Sequence, residues 1–519
     1  MNKNTSFLVL ITITLLSFWN GNAQAKLSNP KNEFRAVWIA TVVNIDWPKA
    51  GTDAVEKQKA DYIEILDTYK KLNYNAVIVQ IRSVGDAFYP SKLAPWSRYI
   101  SGKEGQAPQP YYDSLAWMIE QAHQRGFEFH AWLNPYRATF DTKTETLSKE
   151  HDFFKHREWM IKYGETGKEK YYYNPGLPEV QSHLTAVVEE VVKNYDIDAI
   201  HFDDYFYPYK VTGKQFNDAA SFKKYGNNLS LEDWRRANVN TFVKNIYTSI
   251  KTIKPWVQFG ISPFGVWRNK SVDPRGSDTQ SGQTNYDDLY ADPIAWMEGK
   301  YIDYMLPQLY WSIDHKTASY SKLIKWWADN STNTNVYIGN GSYKINSDSD
   351  KKWDIPTEIP NQIDLTRTYP NIQGNAYFSA KSFVNTNQDV AKLLIENQYK
   401  YPAIPLPVPS SIKPGNERPL INSFKKEGNT NQFSFKKTQS NQIRYIVVYS
   451  SENETELDSN DPSQIVDKIY VDANNETIKI EISKEKLNIL NKVAFTFIDF
   501  YGNESSAEIV HLHTPIKPN

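Results

Sequence analysis

The chain contains no cysteine. That absence excludes disulfides, thiolate metal sites, a cysteine nucleophile and a lipid carried on an N-terminal cysteine. An excess of one charge is missing too: 59 Lys and Arg stand against 60 Asp and Glu, a formal net charge of -1. No overall basic field attracts nucleic acid, and no acidic tail is present. Long apolar runs are absent with one exception. Phe7 to Trp19 follows Lys3 and precedes Ala23-Gln24-Ala25, the order of a secretory signal and its cleavage site. This run is too short to span a bilayer. Residues 1–25 therefore read as a cleaved signal peptide, which predicts export to the periplasm, the cell surface or the medium, with no membrane span. The sequence has no H-E-x-x-H pair, no G-x-S-x-G elbow and no phosphate loop, so no metal and no cofactor is expected.

Aromatic residues are plentiful: 15 Trp, 34 Tyr and 24 Phe. Such a surplus serves a large core and equally the stacking of sugar rings. Short apolar runs recur at Phe34–Thr41, Ala76–Arg82, Phe127–Asn134, Ala199–Asp204, Gln258–Phe264, Tyr304–Tyr310, Asn335–Gly341 and Asn375–Ala380. Amphipathic stretches with helical spacing lie between them, the longest from Leu231 to Ile253. Eight strand-then-helix units predict an α/β fold, a (β/α)8 TIM barrel over residues 32–401. A doubly wound sheet is the structural alternative. Prolines at 402, 405, 407, 409 and 414 mark residues 402–415 as a stiff linker or an edge running along the barrel. Short alternating strands follow, which predicts a small β-sandwich of fibronectin III or immunoglobulin type over residues 416–519.

Catalysis in such a barrel belongs at the C-terminal ends of the strands. Residues two apart share a face, so the inward polar positions can be read off. They are Gln80 and Arg82; His130, Trp132 and Asn134, with Arg137 beyond; His201 and Asp203, then Asp204 and Tyr205; Ser262, then Trp267 and Arg268; and Gln308 and Tyr310, with Trp311 next. A barrel built only for stability would place Val, Ile and Leu there. Asp203 and Asp204 are the sharpest signal. Two adjacent carboxylates in a partly dry pocket cannot both ionise cheaply, so one is kept protonated near neutrality, as general acid catalysis requires. His130 and His201, on neighbouring strands, suit a polar network that orients the acid better than they suit a metal.

Six separated motifs resemble one family. They are Phe34-Arg-Ala-Val-Trp-Ile-Ala, Asn44-Ile-Asp-Trp-Pro48, His130-Ala-Trp-Leu-Asn-Pro-Tyr-Arg137, His201-Phe-Asp-Asp-Tyr-Phe-Tyr-Pro208, Gly260-Ile-Ser-Pro-Phe-Gly265 and Pro307-Gln-Leu-Tyr-Trp311. In this order they are similar to the bacterial glycosyl hydrolase-like 10 family. The resemblance implies an exported glycoside hydrolase on a (β/α)8 barrel. It also implies a carbohydrate partner, with peptidoglycan glycan strands stripped of their peptides as a substrate class.

Strand seven ends Ile338-Gly-Asn-Gly-Ser-Tyr343 without a carboxylate, so a two-carboxylate retaining mechanism lacks its nucleophile. The acidic pair is similar to that of N-acetylhexosaminidase-type barrels, in which the substrate's own acetamido oxygen attacks. On that pattern Asp203 holds the acetamido group, Asp204 is the acid and Tyr310, helped by Gln308, binds the acetamido oxygen. Trp132, Trp267 and Trp311 are expected as sugar platforms, and Arg35, Arg82, Arg137 and Arg268 as partners of a lactyl carboxylate. Two alternatives stand beside this reading: a hydrolase of another polysaccharide, for example an inverting one with Asp46, Asp86 or Asp287 as base, and a non-catalytic glycan-binding barrel.

Overall fold

A computed structural model describes residues 29–409, 418–436, 443–451, 457–472, 477–483 and 492–512. The segment expected as a signal peptide and part of the Pro-rich stretch lie outside the described residues.

Eight parallel strands form a closed ring. They are β1 (Phe34–Ile39), β2 (Ala76–Arg82), β3 (Glu128–Leu133), β4 (Ala199–Phe202), β5 (Gln258–Ile261), β6 (Tyr304–Met305), β7 (Asn335–Val336 continued by Ile338–Asn340) and β8 (Gly374–Tyr377). Each pairs with its sequence neighbours. β7 closes the ring because its first part pairs with β6 and its second with β8, which in turn pairs with β1. The barrel predicted from the sequence is the fold observed, and the doubly wound alternative is not.

β6 is shorter than its apolar run. Pro307 lacks an N–H and interrupts the ladder, which resumes as single bridges from Gln308 to Phe264 and Gly339. A hairpin of Met160–Tyr163 and Lys170–Tyr173 is an element the periodicity did not announce. It holds the chain after β3 at the barrel mouth, with Ala138 N–H donating to the Tyr171 carbonyl at 3.0 Å and Tyr173 N–H to that of Tyr136 at 2.9 Å.

Period-two alternation divides the apolar residues into two cores. Phe34, Ala36, Trp38, Ala76, Ile78, Trp132, Ala199, Tyr304, Leu306, Tyr337 and Ala376 fill the barrel. Val37, Ile39, Val77, Val79, Phe129, Ile200, Phe259 and Ile338 face the helices. Gly260 of β5 is required inside: a Cβ there would lie 1.9 Å from Cζ of Tyr304, whose ring crosses the bare backbone. Helices start where the sequence signals them. The Asp113 carboxylate accepts from Ala116 N–H and the Ser230 hydroxyl from Asp233 N–H, capping Ser114–Gln124 and Leu231–Ile253. Between β5 and β6 two short helices form, Asn285–Asp288 and Pro293–Glu298, with Pro293 opening the second.

The C-terminal residues form the predicted sandwich. One sheet contains Ile421–Glu427, Thr430–Lys436 and Thr477–Ser483; the other contains Ile465–Tyr470, Ile443–Ser450, Lys492–Asp499 and Glu508–His511. Residues 402–409 run as an edge against both units: Ile404 exchanges backbone hydrogen bonds with Lys31 and Glu33, and Val408 N–H donates to the Tyr501 carbonyl.

The sandwich docks at the N-terminal end of the strands, opposite the barrel mouth. Tyr445 donates to the Phe127 carbonyl. The buried Arg444 guanidinium pairs with Asp196 at 2.5 Å and Asp198 at 2.8 Å. Asp198 immediately precedes β4, the strand whose far end leads into the acidic pair.

Candidate active site

A pocket of about 250 Å³ opens at the C-terminal ends of the strands. Gln80, Trp132, Asn134, Arg137, Asp203, Asp204, Tyr205, Ser262, Gln308 and Tyr310 line it, all positions named from the sequence. Successive strand residues face opposite ways, yet the two aspartates share the pocket. β4 ends at Phe202, so Asp204 sits past the strand and escapes the alternation.

Asp203 is 4% exposed and Asp204 3%. Around Asp203 the donors are one-way. The Trp132 indole N–H donates to Oδ2 at 3.3 Å, the Asn134 amide donates to the same oxygen, and Tyr205 N–H donates to Oδ1 at 3.2 Å. The orientation of Asn134 is fixed from behind. Gln80 Oε1 accepts from Thr41 and Val42 N–H at 3.1 and 2.9 Å, which leaves its Nε2 to donate to Asn134 Oδ1 at 2.6 Å. Asn134 must then present its N–H to Asp203.

Asp204 meets the Tyr209 hydroxyl and Gln308, and a hydroxyl can give or accept a proton. Burial first, then the charge of Asp204, pushes the Asp203 carboxyl up to about 7. Burial also raises Asp204, against its hydrogen bonds to Tyr209 and Gln308. The two carboxyls share one dry site and therefore ionise as a pair, the charge on one opposing the charge on the other. The donor-only ring suits a carboxylate at Asp203, and the Tyr209 hydroxyl can take a proton from Asp204 as readily as give one, so a shared proton can sit on either carboxyl.

The opposite wall is aromatic. Trp38, Tyr310 and Phe378 line it, with Tyr310 and Phe378 stacked at 6.1 Å between centroids. β7 supplies bare backbone here. A Cβ on Gly339 would stand 3.1 Å from the Trp38 ring, and one on Gly341 would stand 3.2 Å from Tyr310 Cβ. Rings occupy the space where a strand-seven carboxylate would project. Arg137 lies 4.0 Å over the Tyr205 ring, and its Nε has no protein partner.

Several expected site residues lie elsewhere. Arg35 points outward at the opposite end of β1, where it donates to Glu33 at 2.6 Å and to the Tyr401 carbonyl at 2.7 Å. Arg82 is in phase with Gln80 by count, but the β2–β3 register shifts between them. That bulge turns Arg82 to the Tyr173 hydroxyl and the Asp86 carbonyl. Trp267 is buried against Trp326 and donates to Asp292. Arg268 is held by Asp287 and Asp273. Trp311 packs edge-on against Phe264, outside the pocket lining. His130 and His201 lie one layer beneath the pocket, both at the Tyr304 hydroxyl at 2.8 and 2.9 Å, and do not converge on Asp203.

The bases considered for inversion are also occupied away from the pocket. Asp46 accepts from Ala40 N–H, the Ser379 hydroxyl and Lys381 N–H. Asp86 accepts from Val84 N–H, and Asp287 pairs with Arg268.

Trp38, Tyr209 and Phe378 are pocket residues the polar scan passed over. Trp38 shares the inward phase of Phe34 and Ala36, and Phe378 that of Ala376, so period two alone could have found both.

The family model described as Glycosyl hydrolase-like 10 matches residues 33–355. Glycosyl hydrolase YngK of Bacillus subtilis (strain 168) is 43% identical over 454 residues, 86% of this chain and 87% of that one. Glycosyl hydrolase DigH of Escherichia coli (strain K12) is 39% identical over 368 residues, 66% of this chain and 82% of that one. Among solved structures, the PgaB (BpsB) glycoside hydrolase domain from Bordetella bronchiseptica aligns at 12% identity with a TM-score of 0.44, covering 70% of this chain and 98% of that one.

Proposed function

The chain belongs to the glycosyl hydrolase-like 10 family, and on that premise we propose that it hydrolyses O-glycosidic bonds of an N-acetylated glycan outside the cytoplasm, with peptidoglycan glycan strands as the substrate class. One observation carries the mechanism. Among the described residues lining the pocket, the carboxylates are the adjacent Asp203 and Asp204, and the wall formed with β7 carries rings. A retaining hydrolase of the ordinary kind needs a second carboxylate about 5 Å across the sugar, and an inverting one needs a base about 6.5–9.5 Å away. The substrate's 2-acetamido group supplies the missing nucleophile.

In the first step the acetamido oxygen attacks the anomeric carbon while the bond to the leaving oxygen breaks. Asp204 gives its proton to that oxygen. Asp203, held charged by Trp132, Asn134 and Tyr205, accepts from the acetamido N–H and stabilises the positive ring that forms. The Tyr310 hydroxyl donates to the acetamido oxygen and turns it toward the anomeric carbon. In the second step Asp204, now a carboxylate, takes a proton from the water that attacks the same carbon, and the acetamido group is regenerated. Two displacements leave the anomeric configuration retained. Trp38 and Trp132 flank the sugar ring. Arg137 is the one of the four expected arginines at the pocket, and it faces the lactyl carboxylate of a muramic acid residue.

The test uses the mature protein, peptide-free glycan strands and mass spectrometry of the products. Asp204→Asn and Asp203→Asn should each lower turnover by about 10²–10⁴-fold. Wild-type turnover in both variants refutes the assignment, and absence of products from wild type favours a binding barrel. Export is tested by N-terminal sequencing, which should begin at Lys26.

A further inference from the structure

Beneath the pocket, a hydrogen-bond chain runs from two residues of the lining, Trp38 and Ser262, down the barrel into residues sealed from solvent. The Trp38 indole N–H donates to His201 Nε2 at 3.3 Å. Ser262 Oγ lies 3.0 Å from the same nitrogen. His201 Nδ1 lies 2.9 Å from the Tyr304 hydroxyl, which lies 2.8 Å from His130 Nδ1. His130 Nε2 reaches Glu128 Oε2 at 3.3 Å. His130, His201 and Tyr304 are each 0% exposed.

The donor inventory orients the whole chain. An indole N–H can only donate, so His201 Nε2 presents its lone pair. Burial holds the His201 pKa well below its usual value, so the ring is neutral and its one proton is on Nδ1. That proton goes to the Tyr304 oxygen. The Tyr304 hydroxyl then donates to His130 Nδ1, whose ring carries its proton on Nε2 and gives it to the Glu128 carboxylate. The reverse order fails at Trp38, where two N–H groups would face each other across 3.3 Å.

We propose that Tyr304 and His130 are positioning residues that lock His201 in the Nδ1–H tautomer, and that His201 thereby fixes the Trp38 indole as a wall of the sugar pocket. Trp38 and Ser262 line the pocket, and His201 holds both by one nitrogen. β5 is shaped for the device, because Gly260 leaves the room that the Tyr304 ring occupies. The functional half of this inference rests on the glycan reading above. The tautomer half does not.

The experiment pairs ¹⁵N-histidine NMR of the full chain with kinetics on glycan strands, using Tyr304→Phe, a near-isosteric change that deletes one hydroxyl. A second variant, Trp38→Phe, approaches the same link from the pocket side. In wild type the His201 signals, assigned with His201→Asn, should show a protonated Nδ1 and a bare Nε2. Both variants should shift that pattern. Tyr304→Phe should raise KM roughly tenfold, as expected for loss of a buried hydrogen-bond partner, while kcat changes less than about threefold. An Nε2–H tautomer in wild type overturns the proposal. So does an unshifted His201 signal in both variants, or an unchanged KM with a displaced tautomer. If wild type cleaves no acetamido glycan, the proposed function falls, and the NMR result still decides the tautomer.

Discussion

Arg444→Met tests how the sandwich supports the base of the strand that carries the acidic pair. The Arg444 side chain is 4% exposed and makes contacts on every side: Asp196 Oδ2 at 2.5 Å, Asp198 Oδ1 at 2.8 Å, and His123 Nε2 at 3.0 Å. Methionine fills a similar volume but removes the charge. Asp198 would keep His123 at 2.8 Å and Phe129 N–H at 2.7 Å, in a site 11% exposed at its side chain. Breaking a buried pair from one side costs about 3–5 kcal/mol, because the remaining charge is stranded.

The pH dependence carries a sign. Burial first, then the Arg444 charge, lowers the His123 pKa in the wild type. A His lowered by folding contributes stability above its unfolded pKa and loses it as the solution turns acid. Without Arg444 one of the two lowering causes is gone, so the His123 pKa moves back toward its unfolded value and less stability is lost on acidification. The deficit of the variant should therefore shrink by about 1–2 kcal/mol between about pH 8 and about pH 5.5, one titrating proton being worth about 1.4 kcal/mol per unit. Guanidinium unfolding of the full chain at the two pH values measures both quantities. The double variant Arg444→Met with Asp198→Asn should recover part of the loss, since it removes the stranded charge. A deficit under about 1 kcal/mol, or one that grows on acidification, refutes the reasoning.

Other outcomes follow from the same geometry. Gly260→Ala forces a Cβ to within 1.9 Å of the Tyr304 ring and should cost about 3 kcal/mol in a denaturation midpoint, the upper end of overpacking penalties; a loss below about 1 kcal/mol would mean that the ring does not cross the backbone there. Burial raises both carboxyls of the acidic pair, and the proposed acid must keep its proton, so kcat/KM should fall as the solution turns alkaline. A flat profile between about pH 6 and pH 9 would contradict a shared proton. A thiazoline mimic of the cyclised acetamido intermediate should inhibit competitively and far more tightly than the free sugar; binding no better than the sugar counts against substrate assistance.

The period-two rule made most of the pocket legible, because Gln80, Trp132, Asn134, Asp203, Ser262 and Gln308 sit in regular phase at strand ends. It failed where the backbone departs from regularity. One bulged residue was enough to turn Arg82 out of the barrel. It also failed where polarity was the filter: Trp38 and Phe378 are apolar, and their role as walls depends on Gly339 and on the stacking with Tyr310. Trp267 and Arg268 lie beyond the strand, in a loop whose path is set by partners distant in sequence, Asp292 and Asp287. The hairpin at the mouth is short and rich in Lys and Tyr, with little apolar alternation to announce it. Docking of the sandwich draws on Arg444, one buried charge in an apolar strand, and its partners Asp196 and Asp198 lie more than 240 residues away in sequence.

In the proposed mechanism the substrate's acetamido group is the nucleophile, and Asp203 and Asp204 serve it. The most direct measurement compares turnover of one preparation of peptide-free glycan strands before and after chemical removal of the N-acetyl groups. Cleavage of the acetylated strands with retention at the anomeric carbon, and loss of cleavage by at least about 10³-fold after deacetylation, is the predicted result. Equal turnover of the two preparations, or products of inverted configuration, would contradict it.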